Sequence, residues 1–197
     1  MKIGGLVKTS LIDYPGKVCA VIFTQGCNFR CPYCHNPELV YPDRFRETLP
    51  PEEVLAFLEK RRGRLEGVVV SGGEPTLQED LPAFLRLLKS LGYSVKLDTN
   101  GSRPDVLRRL AAGQTVDYIA MDIKAPLDKY GLVSGVSLDP GGISESIKII
   151  KDSGIRHEFR TTFDKELLAP RDIEAIRLLA GRSPYSFHDR LPVKEKT

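Results

Sequence analysis

No stretch of the 197-residue sequence approaches the roughly 18 to 20 consecutive apolar residues that a membrane span requires. The opening "MKIGGLVKTSLIDYPGK" has no continuous apolar centre, so it does not read as a signal peptide. Charge of one sign is scarce as well. The net charge of +3 is too small to argue for nucleic acid, and the basic run "EKRRGR" at 59–64 reads as the solvated end of a helix. There is no repeat, low-complexity tract or linker. That leaves a single domain over 1–197, with a core of about 17–181 and a charged tail over 182–197. Hydrophobic residues at 41% and charged residues at 28% are ordinary for a globular chain and exclude disorder. Cysteine is scarce too: there are four, and three of them crowd into "GCNFRCPYCHNP" at 26–37 as Cys27, Cys31 and Cys34. The expected setting is cytoplasmic, where thiols stay reduced, so such a cluster reads as metal-binding before it reads as a disulfide framework.

What is present is an alternation. "VCAVIFT" (18–24), "GVVV" (67–70), "YSVKL" (93–97), "VDYIAMDI" (116–123) and "HEFRTTF" (157–163) are short apolar, β-branched runs that predict buried strands. Between and after them, 49–63, 77–92, 103–113, 143–154 and 169–181 have helical apolar spacing, with proline or acid near the start and, in most, glycine near the end. Strands alternating with helices predict βαβ units and a parallel sheet. Five clear units, with at most a short sixth strand at Tyr185–Phe187, predict a partial (β/α)6 barrel of TIM type whose sixth unit is incomplete.

In parallel α/β folds, ligands bind beyond the carboxyl ends of the strands. Here those ends run into the cysteine loop, "SGGEPT" (71–76), "DTNG" (98–101) and "DIKAP" (122–126), so all four sets are expected at one mouth. Three thiolates from one loop suit an iron–sulfur cluster or zinc. A structural zinc needs a fourth ligand. His35 adjoins Cys34, and adjacent residues rarely turn onto one metal; Cys19 lies in an apolar strand and is expected in the core. Three ligands would leave one iron of a cubane open to substrate. Gly72 and Gly73 satisfy a tight turn, or let a ligand approach the backbone while Glu74 meets its amino group. Asn100-Gly101 reads as an Asx turn. Asp98 and Asp122, at adjacent strand ends, need a cation or a proton between them. Lys124, two residues beyond Asp122, and Arg160 in the fifth strand could neutralise them or hold a carboxylate ligand. His157 and His188 have no assigned role.

These residues resemble a known family. The cysteine motif with Tyr33 before its last cysteine, together with "GGEP", is similar to the radical S-adenosylmethionine enzymes. "SLIDYPGKVCAVIFTQGCNFRCPYCHNPELV" (10–40), "SGGEPTLQ" (71–78), "LDTNG" (97–101) and "MDIKAPLDKY" (121–130) resemble the glycyl-radical-enzyme activases among them. The small activases of anaerobic ribonucleoside-triphosphate reductase are the most similar. The resemblance implies a 4Fe–4S cluster on Cys27, Cys31 and Cys34, whose open iron chelates S-adenosylmethionine. It implies Gly72, Gly73 and Glu74 against the cofactor's amino group and Tyr33 beside its adenine. Asp98, Thr99 and Asp122 would hold a monovalent cation near its carboxylate, with Lys124 and Arg160 as further contacts. The implied reaction is reductive cleavage to a 5′-deoxyadenosyl radical that abstracts hydrogen from a glycine of a partner enzyme. Flavodoxin or ferredoxin would donate the electron. Pyruvate formate-lyase as partner, or a small-molecule substrate, are the alternatives, and a zinc- or cluster-binding interaction module is a third, non-enzymatic one. Residues 182–197 do not resemble the family's last strand.

Overall fold

The computed structural model describes residues 1–190. Among them seven strands form one sheet in sequence order: β1 (Ile3–Ser10), β2 (Cys19–Thr24), β3 (Gly67–Gly72), β4 (Ser94–Thr99), β5 (Tyr118–Asp122), β6 (Arg156–Phe163) and β7 (Tyr185–Asp189). Strands β2 to β7 are mutually parallel, and β1 pairs antiparallel with β2. Among the described residues the sheet is not closed, as expected of a partial barrel. The sixth parallel strand exists as β7, which runs two residues beyond the expected Tyr185–Phe187; residues 191–197 of the expected tail lie outside the described residues. Strand β1 was not expected from the sequence. Its polar positions and paired glycines, "IGGLVKTS", carry a weak alternation, and it is half-exposed along its length.

Helices α1 (Pro51–Lys60), α2 (Leu81–Ser90), α3 (Pro104–Ala112), α4 (Tyr130–Ser134), α5 (Gly141–Asp152) and α6 (Pro170–Ala180) fill the crossovers. Four of them carry proline at the first or second position, at Pro51, Pro82, Pro104 and Pro170, where the missing N–H costs nothing and the fixed φ suits the first turn. The short α4, inside the long connection "IKAPLDKYGLVSGVSLDPGG", was not read from the sequence.

Strand alternation divides the core in two. Ala20, Ile22, Val68, Val70, Val95, Leu97, Ile119, Met121 and Phe159 face the helices and pack with Leu58, Leu85, Leu107 and Ile150. Burying each such side chain contributes about 2 kcal/mol against the entropy of ordering the chain. The opposite face carries Cys19, Val21, Val69, Tyr118 and Ala120, closed at the amino end of the strands by Tyr14. The Tyr14 and Tyr118 rings meet at a tilt of 56° with centroids 5.9 Å apart. This apolar plug seals the lower barrel, so the polar residues at the carboxyl ends stand alone at the mouth.

Candidate functional site

A cavity of about 200 Å³ lies at the carboxyl ends of β2 to β6. Every residue singled out from the sequence as a site candidate lines it: Cys27, Cys31 and Cys34, Tyr33, the Gly72–Glu74 turn, Asp98, Thr99, Asp122, Lys124 and Arg160. His35 and Asn100 border it too, whereas His157 and His188 do not. His157 is engaged elsewhere, with its Nε2 2.9 Å from Ser183 Oγ. Cys19 is buried at the far end of β2, where its thiol donates to Ser10 O, as expected of a core cysteine.

The cysteine loop is held by its own backbone and by its neighbours. Phe29 N donates to Cys27 Sγ at 3.4 Å, and Arg30 N reaches Ser134 O at 2.7 Å, which ties the loop to α4. The Arg30 guanidinium donates to the carbonyls of Cys27 and Phe29. Burial pushes the Cys27 thiol up to about 11 and raises that of Cys31 as well. These thiols stay protonated unless a metal takes the proton's place. Among the described residues no three His, Cys, Asp or Glu side chains stand close enough to hold one metal ion. A cuboidal cluster takes each thiolate on a different iron, so its ligands need not meet at one point.

Of the two readings open for the glycine pair, the structure shows a tight, close-packed turn. A Cβ on Gly72, whose φ is +119°, would lie 2.3 Å from Thr24 N; one on Gly73 would lie 2.1 Å from Gly26 O. Both glycines therefore let this turn press against the chain leaving β2, and Gly73 N and Glu74 N donate to Thr24 O and Gly26 O. Glu74 is fully buried. Its Oε1 accepts from Thr76 N, Thr76 Oγ1 and Thr99 Oγ1, and its Oε2 from Asn100 N at 2.7 Å. Burial raises its pKa, and these four donors work against that rise. A carboxylate has about four lone-pair sites, and with three of the four donors crowded on Oε1, Oε2 retains one. Asn100 makes the expected Asx turn, accepting from Ser102 N. It also donates to Asn28 Oδ1 and, at 3.9 Å, to Cys27 Sγ, so the "DTNG" loop braces the cysteine loop.

Below these loops lies a ladder of charges. Lys96 Nζ donates to Asp98 Oδ1 at 2.7 Å, and Arg160 reaches both acids, Asp98 Oδ2 at 3.5 Å and Asp122 Oδ1 at 3.0 Å. Lys124 Nζ closes the row on Asp122 Oδ2 at 2.9 Å. The neutralising role expected of Lys124 and Arg160 is thus present. Lys96 was missed, although it precedes Asp98 by two residues on one strand face, as Lys124 follows Asp122. Burial alone would raise the Asp122 carboxyl; the Lys124 and Arg160 cations overcome it and hold the group well below the usual carboxylate range. The Tyr33 hydroxyl is buried at this cavity without a hydrogen-bond partner among the described residues, and burial raises its pKa.

Because the folded pKa of Asp122 lies below its unfolded value of about 3.9, its contribution to stability is present above that value. It is lost as pH falls toward the folded pKa. Urea midpoints between about pH 3 and 6 are expected to fall steeply on the acid side. Asp122→Asn should be less stable at neutral pH and should flatten the acid limb; an unchanged limb would place the linkage elsewhere.

The profile of the Radical SAM superfamily matches residues 21–168, three quarters of the chain and all of the cavity. The chain belongs to the radical SAM superfamily. Two relatives sharpen the placement. A Methanocaldococcus jannaschii protein named as a glycyl-radical enzyme activating enzyme is 39% identical over 179 residues, covering 88% of this chain and 73% of its own. The pyruvate formate-lyase-activating enzyme of Clostridium pasteurianum is 31% identical, covering 79% of this chain and 65% of its own, so this radical SAM chain spans under two thirds of that relative. Among solved structures, Streptococcus suis SuiB bound to S-adenosylmethionine superposes with a TM-score of 0.71 at 17% identity, covering 90% of this chain and 41% of that one. That likeness shows the fold. A radical SAM domain implies a 4Fe–4S cluster and S-adenosylmethionine as cofactors. The residues fit them: three thiols whose protons a metal can replace, an unpartnered tyrosine hydroxyl, and lysine and arginine donors, all on one cavity. Among the described residues no helix is long and apolar enough to cross a membrane.

Proposed function

We propose that the chain is a single-domain activase that generates a glycyl radical on a partner enzyme in the reducing cytoplasm, with anaerobic ribonucleotide reductase the first partner to test and pyruvate formate-lyase the second. The observation that carries this reading is the convergence of three thiols, the Glu74-braced loops and the basic donors on one open-edged mouth. The two activating-enzyme relatives support the reaction class.

Cys27, Cys31 and Cys34 would hold the cluster. The bound cofactors supply reductive cleavage of a sulfonium and a carbon-centred radical that takes a hydrogen atom from the partner's glycine. This chain's own residues bind, orient and shield. The Gly72–Glu74 turn offers its backbone and the remaining Oε2 site to the amino group. Lys124 and Arg160 present donors to the carboxylate, and Tyr33 its ring and hydroxyl to the adenosine. The apolar plug of Tyr14, Val21, Val69 and Tyr118 keeps water from entering from below. A one-electron donor of the flavodoxin or ferredoxin type would reduce the cluster at the exposed cysteine loop.

Anaerobic reconstitution with iron and sulfide tests this. About four irons per chain and release of 5′-deoxyadenosine on reduction are expected. Cys31→Ala should lose both, and Cys19→Ala, a core substitution far from the cavity, should keep the iron. Incubation with a candidate partner should then give a glycyl-radical EPR signal. Cleavage without any such signal, alongside turnover of a small substrate, would move the protein to another branch of the superfamily. Tight zinc without a cluster would overturn the reading.

A further inference from the structure

Two carboxylates at neighbouring strand ends call for a cation, and the expectation from the family was a bound monovalent ion shared by Asp98, Thr99 and Asp122. Every carboxylate oxygen at these strand ends already accepts from a lysine, arginine or serine of the chain. Asp98 Oδ1 is taken by Lys96; its Oδ2 faces Ser71 Oγ at 3.3 Å and Arg160 Nη1. Both oxygens of Asp122 are taken by Arg160 and Lys124. Thr99 lies on the other face of β4, where its hydroxyl donates to Glu74 and accepts from Gly101 N. An alkali ion there would also meet three fixed positive charges.

We propose that Lys96 is the resident cation of this site, its ammonium built into the barrel wall in place of a bound alkali-metal ion. The lysine is 2% exposed, and lysine is almost never fully buried unless paired. Its neighbours in register are Val69 on β3 and Tyr118 on β5, so Asp98 and the Tyr118 ring, 6.0 Å from Nζ, are what the apolar plug offers its charge. The ammonium holds Asp98 from below, and Asp98 in turn helps to fix Arg160, which Glu158 also attracts from its own strand. The hydrogen-bonded row carries three cations and two carboxylates. Lys124 and Arg160 both line the cavity, and their remaining N–H donors are available to a ligand's carboxylate. Lys96 is a positioning residue that acts through Asp98.

The test compares the full chain in potassium, sodium and tetramethylammonium chloride at equal ionic strength. The melting temperature of the wild-type protein should be the same in all three, with or without its reconstituted cluster. Lys96→Met should melt lower by about 10 °C in tetramethylammonium, as for a buried pair that has lost one partner, and should recover several degrees in potassium or sodium. Lys96→Met combined with Asp98→Asn should lose that ion-specific recovery. In the cluster-loaded wild type, S-adenosylmethionine affinity should stay within about twofold across the salts, because nothing in the site exchanges with solvent cations. This last measurement rests on the cofactor reading of the cavity; the melting series does not, so failure of one is distinguishable from failure of the other. Potassium-specific stabilisation of the wild type, or a several-fold gain in its affinity with potassium, would overturn the proposal. So would a Lys96→Met loss that is equal in every salt.

Discussion

Replacing Glu74 by glutamine is expected to destabilise the protein by about 2 kcal/mol and to weaken cluster retention at the same time. The carboxylate is fully buried and accepts from four donors on two loops: Thr76 twice, Thr99 and Asn100. An amide presents a donor where one of its oxygens was, so at least one N–H or O–H of these loops is left facing another donor in the dark of the core. Leaving such a group unsatisfied costs more than a typical hydrogen bond contributes. Because Asn100 also braces Asn28 and Cys27, the damage reaches the cysteine loop. Thermal melting of the protein without its cluster, followed by iron counting, checks this. If Glu74 served only a ligand's amino group, the melting temperature would stay put and S-adenosylmethionine affinity alone would fall.

Gly73→Ala is expected to be more damaging still. The added methyl would sit 2.1 Å from Gly26 O and 2.7 Å from Gly26 C, both backbone atoms that cannot swing away as a side-chain tip would. The turn after β3 and the chain leading into Cys27 must then separate, breaking the Gly73 N–Thr24 O and Glu74 N–Gly26 O bonds. Loss of about 3 kcal/mol or more is expected, at the upper range for overpacking against rigid neighbours. Circular dichroism melts and urea midpoints without the cluster read this directly. A Gly73→Ala protein that melts like the wild type but fails to bind S-adenosylmethionine would instead make the glycine a ligand-approach residue, the other of the two readings its sequence context left open.

Much of this architecture is local, and so it was legible. The β-branched runs at 67–70 and 116–123 are hydrophobic on both faces because helices cover one face and the barrel plug the other. Prolines at helix starts mark α1, α2, α3 and α6 for a reason that acts within one turn. Strand β1 was missed because it is an antiparallel edge whose partner lies across a loop and whose polar face stays in solvent. The short α4 was missed because five residues have no periodicity to detect. Lys96 was passed over for a related reason: a lysine in a strand usually snorkels to water, and only the closed lower barrel makes this one a buried charge.

By itself the sequence determined which residues could do chemistry and which end of the sheet they occupy. Three thiols at C-x3-C-x2-C spacing, a glycine pair before Glu74, and acids at strand ends follow from chain order alone, since parallel strands put all their carboxyl ends on one rim. Only the tertiary structure decided what each group is occupied with. It turned Gly72 and Gly73 toward the backbone of a neighbouring strand and made Glu74 the clamp of two loops. It also set Lys96 and Arg160 on the two acids that had been left to share an ion. Lys96 and Asp98 are only two positions apart, but most of those pairings join residues 25 to 62 positions apart, and no local pattern encodes which lone pair a distant donor will claim.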